Sequence, residues 1–222
     1  MSLHEFTKQE KNAVSESIII SLLTSLITFG IWYYVQLHSI ENFIADYGFF
    51  IFFAILSYVL ILPSEKTVRA YKEFPCMSGM MIGMTVGMIS GFLSGFFVGA
   101  TNGIFWGSVF GMAVGMIFGA RSGKCCGIMG VMEGMMAGFM GGLMGAMTSL
   151  MMYNDHLRAA GVIVFIISAV IMTGLQYMIY KESKILEKNK SVSNLITIAL
   201  SFILTLLTIW FMVYGPRGGL FQ

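Results

Sequence analysis

Apolar residues dominate seven long stretches of this chain, and short polar segments separate the stretches. A helix of about 20 predominantly apolar residues crosses the hydrocarbon core of a bilayer. The seven stretches cover residues 17–36, 45–63, 77–99, 103–120, 128–151, 159–180 and 193–214. The pattern therefore predicts an all-α, polytopic membrane protein with about seven transmembrane helices.

The composition supports this prediction and limits where a function could lie. Hydrophobic residues make up 57% of the chain and charged residues only 11%, with a mean hydropathy of +0.81, which is far from the composition of a soluble domain. The predicted loops hold about a dozen residues at most, too few for a folded soluble domain. Lipid is therefore the expected partner, nucleic acid is not, and any function should lie in the membrane or at its surface.

Lysine and arginine fall alternately on the two sides of the predicted helices. Positive residues are retained on the cytoplasmic side of a membrane. Eleven lie on one side, at Lys8, Lys11, Lys66, Arg69, Lys72, Arg121, Lys124, Lys181, Lys184, Lys188 and Lys190, and two on the other, at Arg158 and Arg217. We therefore expect a cytoplasmic N-terminus and an outside C-terminus, in the cytoplasmic membrane of a prokaryote.

Glycine and methionine divide the chain into three parts. The parts are an N-terminal hairpin (1–75), a Gly/Met-rich three-helix core (76–152) and a C-terminal hairpin (153–222). Within the core, glycine recurs at every fourth position from Gly79 to Gly127, and a new phase runs from Gly130 to Gly142. Small residues at this spacing let helix backbones approach closely. We expect a compact inner bundle shielded by the two hairpins, with glycine faces that could also serve a homo-oligomer.

The core methionines are periodic as well. They lie at Met80, Met84 and Met88 on the third stretch, Met112 and Met116 on the fourth, and Met132, Met136, Met140 and Met144 on the fifth. Spacing by four places each set on one helix face. Thioether sulfur is a soft ligand that suits Cu(I), so these faces could form rungs for a soft metal ion. Methionine is equally a flexible apolar filler for the gaps around glycine.

Two adjacent cysteines, Cys125 and Cys126, fall in the fourth loop, on the predicted cytoplasmic side. Arg121 and Lys124 lie beside them and should favour the thiolate form. Vicinal thiolates can bind a thiophilic ion, although the pair could also be two incidental reduced cysteines. Cys76, at the start of the third stretch, could join them.

Glu133 is the only acidic residue well inside a predicted span. A carboxyl group in a membrane is costly unless it is protonated, paired or hydrated, so by default it marks an ion or proton pathway. Pairing with Lys124 or Arg121 near the interface is the alternative.

Part of the core resembles the second half of the Ctr-type copper transporters. The resemblance lies in an M-x-x-x-M helix, a tight turn, a G-x-x-x-G helix and a cytoplasmic cysteine motif. Here these are Met80, Met84 and Met88, then Thr101 and Asn102, then Gly107, Gly111 and Gly115, then Cys125 and Cys126. The vicinal cysteines are also similar to those of bacterial mercury-transport membrane proteins. Both resemblances imply handling of a soft metal ion.

The sequence thus predicts a membrane protein that transports or transfers a soft metal ion, with Cu(I) as the expected ion and Cys125 and Cys126 as its cytoplasmic station. One alternative is a non-catalytic scaffold or assembly factor in which glycine and methionine only pack helices. Another is a proton- or ion-conducting oligomer centred on Glu133. No G-x-S-x-G, Walker, Rossmann or H-E-x-x-H pattern occurs, so we do not expect an enzyme or an organic cofactor.

Overall fold

The computed structural model describes residues 18–31, 34, 48–70, 75–153, 155–183 and 194–215. It is 96% helical and contains no strand among these residues, so the all-α prediction is confirmed. In chain order the helices are α1 (Ile18–Ile31), α2 (Phe49–Ala70), α3 (Cys76–Asn102), α4 (Ile104–Gly123), α5 (Gly127–Met151), α6 (Leu157–Ser183) and α7 (Asn194–Tyr214).

Within the described residues, five helical stretches are long and apolar enough to cross a membrane. They are Phe49–Arg69, Cys76–Asn102, Ile104–Met151, Leu157–Ile179 and Thr197–Tyr214. The third contains both α4 and α5, and α1 is shorter than the others. These helices are compatible with an integral membrane protein, while the count of seven spans and the sidedness of the termini stay predictions. Several of the lysines behind the sidedness, including Lys8, Lys11 and Lys184–Lys190, lie outside the described residues.

Helices α3, α4 and α5 pack against one another through their glycines. Helix α3 runs antiparallel to α4 and parallel to α5, so the glycines meet in successive layers. The layers are Gly83, Gly123 and Gly130; Gly87, Gly119 and Gly134; Gly91, Gly115 and Gly138; Gly95, Gly111 and Gly142; and Gly99, Gly107 and Ala146. The centre of the bundle is therefore made of backbone atoms.

The layers leave no room for a larger side chain. A Cβ atom on Gly91 would lie 2.7 Å from the carbonyl oxygen of Gly138, and one on Gly115 would lie 2.8 Å from the Cα atom of Gly91. At such distances dispersion and weak Cα–H···O contacts hold the helices together, in place of the hydrophobic drive that lipid removes. The glycine spacing of four seen in the sequence thus matches the spacing of the layers in all three interfaces, between α3 and α4, α3 and α5, and α4 and α5.

Two further glycines reverse the chain between these helices. Gly103 alone joins α3 to α4 with φ 97°, and Gly127 joins a short 3-10 turn, Lys124–Cys126, to α5 with φ 72°. Both φ values favour glycine because it has no Cβ atom. The ends of α3, α4 and α5 are therefore brought together by very short connections.

The other face of α3 packs on the two hairpins. Ile82, Val86, Leu93, Phe96 and Phe97 are fully buried in the apolar core that α3 forms with α2, α6 and α7. The hairpins therefore cover the α3 side of the bundle. Helix α5 makes its main contacts with α3, α4 and the turn before it, so its outer face is left uncovered by the described helices, unlike the complete shielding expected from the sequence.

Candidate functional site

All three cysteines of the chain meet at one end of the glycine bundle. Cys76 is the first residue of α3, whereas Cys125 and Cys126 form the turn after α4. Because α3 and α4 are antiparallel and joined by a single residue, the start of α3 lies at the same end of the bundle as the turn after α4. The Cys126 thiol donates to the carbonyl oxygen of Cys76 at 3.2 Å and interacts electrostatically with the Cys76 and Cys125 thiols.

The space for the two adjacent sulfur atoms comes from a glycine. A Cβ atom on Gly79, one turn into α3, would collide with the Cys126 sulfur and lie 2.8 Å from the Cys125 sulfur. Both sulfur atoms therefore rest against the bare backbone of α3. The Cys125 thiol also donates to the carbonyl oxygen of Ser122 at 3.3 Å, which holds it against the end of α4.

The pKa values of Cys125 and Cys126 are raised, whereas the sequence suggested that they would be lowered. The turn lies between α4 and α5. Burial raises the pKa of Cys125 to about 12, and the neighbouring Cys126 adds to the effect. Burial also raises the pKa of Cys126. The expectation that Arg121 and Lys124 favour the thiolate is therefore wrong: Arg121 is turned to a carboxylate on α2, and Lys124 is exposed.

The donor set at this end consists of sulfur. Among the described residues, no three His, Cys, Asp or Glu side chains form a group that could hold a metal ion. The thiols nevertheless offer pairs of neighbouring soft donors, Cys125 with Cys126 and Cys126 with Cys76. A pair of thiolates suits a soft ion that accepts few ligands, such as Cu(I).

The predicted methionine rungs lie away from the axis of the bundle. On α5 the whole set is exposed, with Met132 at 58%, Met136 at 63%, Met140 at 57% and Met144 at 54%. On α3, Met84 and Met88 are 45% exposed, and Met80 is half-buried, as are Met112 and Met116 on α4. The axis itself is filled by glycine backbone. The structure therefore does not bring the three methionine sets together around a common channel inside α3, α4 and α5.

Glu133 is half-buried on α5, and no ion pair joins it to Arg121 or Lys124 in the described part of the chain. The pairing alternative is therefore not realised, and a role in proton or ion movement stays a prediction.

The carboxylate that does pair with Arg121 is Glu65, which the sequence analysis missed. Its side chain is 1% exposed, and one oxygen lies 3.0 Å from Nε of Arg121 and 3.5 Å from Nε of Arg69. Helix α2 continues past Pro63 to Ala70, so Glu65 is helical and not in a loop. The Arg121–Glu65 pair joins α2 to α4, whereas the Arg69–Glu65 pair lies within α2.

Comparison with known proteins adds no relative. The sequence matches no family model, no curated protein and no solved structure.

Proposed function

We propose that this membrane protein binds a soft metal ion, with Cu(I) as the preferred ion, at the thiols where α3 begins and α4 ends. One observation carries the proposal: Cys76 lies about fifty residues before the adjacent pair Cys125 and Cys126, yet the fold brings it to them at one end of the bundle. Thiolate sulfur binds Cu(I) in preference to harder cations. The charge distribution predicts that this end faces the cytoplasm.

The proposed activity is capture and transfer of the ion at the inner surface of the membrane. The backbone layers between α3, α4 and α5 leave no path along the bundle axis, which favours transfer at one surface over passage through this core. The exposed methionines of α3 and α5 would offer weaker thioether contacts along the outside of the bundle. The bound ion would be released to the sulfur ligand of an acceptor molecule, because a soft ion can pass directly from one sulfur donor to another.

A Cu(I) titration of the reduced, purified chain against a competing chelator tests the proposal. We expect about one ion per chain with a Kd below roughly a micromolar, and weakening by about a hundredfold or more in Cys126→Ser, which removes the thiol common to both pairs. Gly79→Ala should also weaken binding, because its methyl group displaces both sulfur atoms. Gly174→Ala is the matched control, since nothing lies within 4 Å of a Cβ atom there.

The same titration separates the thiols from the methionine rungs. Replacing Met132, Met136, Met140 and Met144 by leucine should leave the affinity unchanged if the cysteines hold the ion. Loss of binding in that variant with full binding in Cys126→Ser would place the ion on α5. Absence of binding in the wild-type chain would end the metal proposal.

A non-catalytic membrane scaffold is the second candidate, and one observation favours it specifically. Helix α5 uses its glycine face for α3 and α4, while a row of methionines with Phe139 and Leu143 stays exposed on the opposite face. Flexible methionine surfaces adapt to varied partners. In that case the leucine variant should lose its membrane partners in a native pull-down while Cys126→Ser retains them.

A further inference from the structure

The thiol cluster also has the geometry of an oxidation site that involves one particular cysteine pair. Cys126 is the central member, because its thiol interacts electrostatically with both the Cys76 and the Cys125 thiols. Its sulfur lies 3.2 Å from the carbonyl oxygen of Cys76. Cys76 is exposed, so a small reagent can reach this side of the cluster.

The two pairs are not equivalent. Cys125 and Cys126 are adjacent within a 3-10 turn, and a bond between them would close a small ring that distorts the peptide link and the turn. The Cys125 thiol is also held by the carbonyl oxygen of Ser122. A bond between Cys76 and Cys126 would instead join two different helix ends, the start of α3 and the turn after α4.

We infer that Cys76 and Cys126 form a disulfide when the protein meets a low-molecular-weight disulfide, and that this bond links the start of α3 to the turn between α4 and α5. The stoichiometry requires one oxidised glutathione for each bond. The Cys126 thiolate attacks one sulfur of oxidised glutathione, breaking its S–S bond and releasing one glutathione thiolate.

In the second step the Cys76 thiolate attacks the Cys126 sulfur of the mixed disulfide and displaces the second glutathione. The two protons lost by the cysteine thiols pass to the two released glutathiones. The protein is oxidised by two electrons, and the oxidised glutathione is reduced by the same two.

One consequence rests on the proposed function: the disulfide consumes the central thiol of the cluster, so the oxidised chain should bind Cu(I) at least about a hundredfold more weakly. Oxidation would then switch off the metal site, and reduction would restore it.

The experiment incubates the full-length, detergent-purified chain with oxidised glutathione and maps the products by peptide mass spectrometry without reductant. We expect a cross-linked peptide pair that contains Cys76 and Cys126, a protein mass lower by two hydrogens, and reversal by a phosphine reductant. Cys125→Ser should form the same bond. Cys76→Ser should stop at a glutathione adduct on Cys126, which shows that the variant is folded and reactive.

Three products would overturn the inference: a bond between Cys125 and Cys126, glutathione adducts alone on the wild-type chain, or only links between two chains. A Cu(I) titration on the same samples separates the two proposals. If the disulfide forms but the reduced chain binds no Cu(I), the oxidation site stands and the metal function fails. If the reduced chain binds Cu(I) but no Cys76–Cys126 bond forms, the metal function stands and the oxidation site fails.

Discussion

Gly87 on α3 lies directly against Gly134 on α5: a Cβ atom on Gly87 would be 2.6 Å from the Gly134 carbonyl oxygen. The same hypothetical atom would lie 3.0 Å from the Cα atom of Gly119 on α4. A single position thus controls how closely three helices approach. The contacts are with backbone, which cannot rotate away as a flexible side chain can.

Gly87→Ala should therefore destabilise the fold by about 2 kcal/mol or more, in the middle of the usual range for overpacking or above it. Gly174→Ala on α6 is the control, because no atom lies within 4 Å of the new methyl group, and alanine there should be neutral or stabilise by up to about 1 kcal/mol. Thermal unfolding in detergent, followed by circular dichroism, gives the comparison. Equal midpoints for the two variants would contradict backbone packing at Gly87.

The buried carboxylate of Glu65 should contribute more to the free energy of unfolding than an exposed carboxylate does. Glu65→Gln removes the charge that faces Arg121 and Arg69 and leaves both cations without it. Removing one partner of a buried pair costs about 3–5 kcal/mol; since both arginines are partly exposed, we expect roughly 1–2 kcal/mol.

The exposed pair of Asp155 with His156 supplies the control for Glu65. Asp155→Asn should leave the unfolding midpoint unchanged, because exposed pairs contribute little. A Glu65→Gln protein as stable as Asp155→Asn would show that the α2–α4 link does not stabilise the fold.

Metal affinity should rise with pH. Burial raises the pKa of Cys125 to about 12 and also raises that of Cys126, so the thiols hold their protons at neutral pH and the metal must displace them. Below these pKa values the apparent affinity should increase by about tenfold per pH unit for each proton released. Cu(I) competition between pH 6 and pH 8, with the chelator's own pH dependence subtracted, measures the slope. A flat profile would mean that thiolates are not the ligands.

The sidedness of the bundle can be read from cysteine labelling. Cys76 is exposed at the end that the charge count assigns to the cytoplasm. A membrane-impermeant maleimide should label it in inside-out vesicles and not in intact spheroplasts. Met152→Cys, at the exposed end of α5 opposite the thiols and in a background without the native cysteines, should show the reverse. Labelling of Cys76 from outside would invert the predicted topology.

Periodicity alone predicts the helices and the residues that pack them. The glycine spacing identified three helices that approach closely, and the structure places those glycines in shared layers. The sequence also contained the information that the α5 methionines lie on the helix face opposite the glycines. Met132 follows Gly130 by two residues, which is about 200° around a helix, so a buried glycine stripe places this methionine row on the outside.

The sequence pattern did not predict which residues of different helices contact one another. Cys76 meets Cys126 only because α3 and α4 are antiparallel in one register, and glycine spacing by four is compatible with several registers. Glu65 was overlooked because the apolar stretch ends at residue 63 while the helix runs to Ala70. Its spacing of four from Arg69 was the available signal, since such pairs share a helix face.

The most direct test of the proposed function is the metal content of the full-length chain, purified without chelators and under reducing conditions, by elemental analysis. A triple variant with Cys76, Cys125 and Cys126 replaced by serine serves as the matched sample. We predict about one copper per wild-type chain and close to none in the variant. Equal copper in both proteins, or copper in neither after growth in copper-supplemented medium, would contradict a thiol-based soft-metal site.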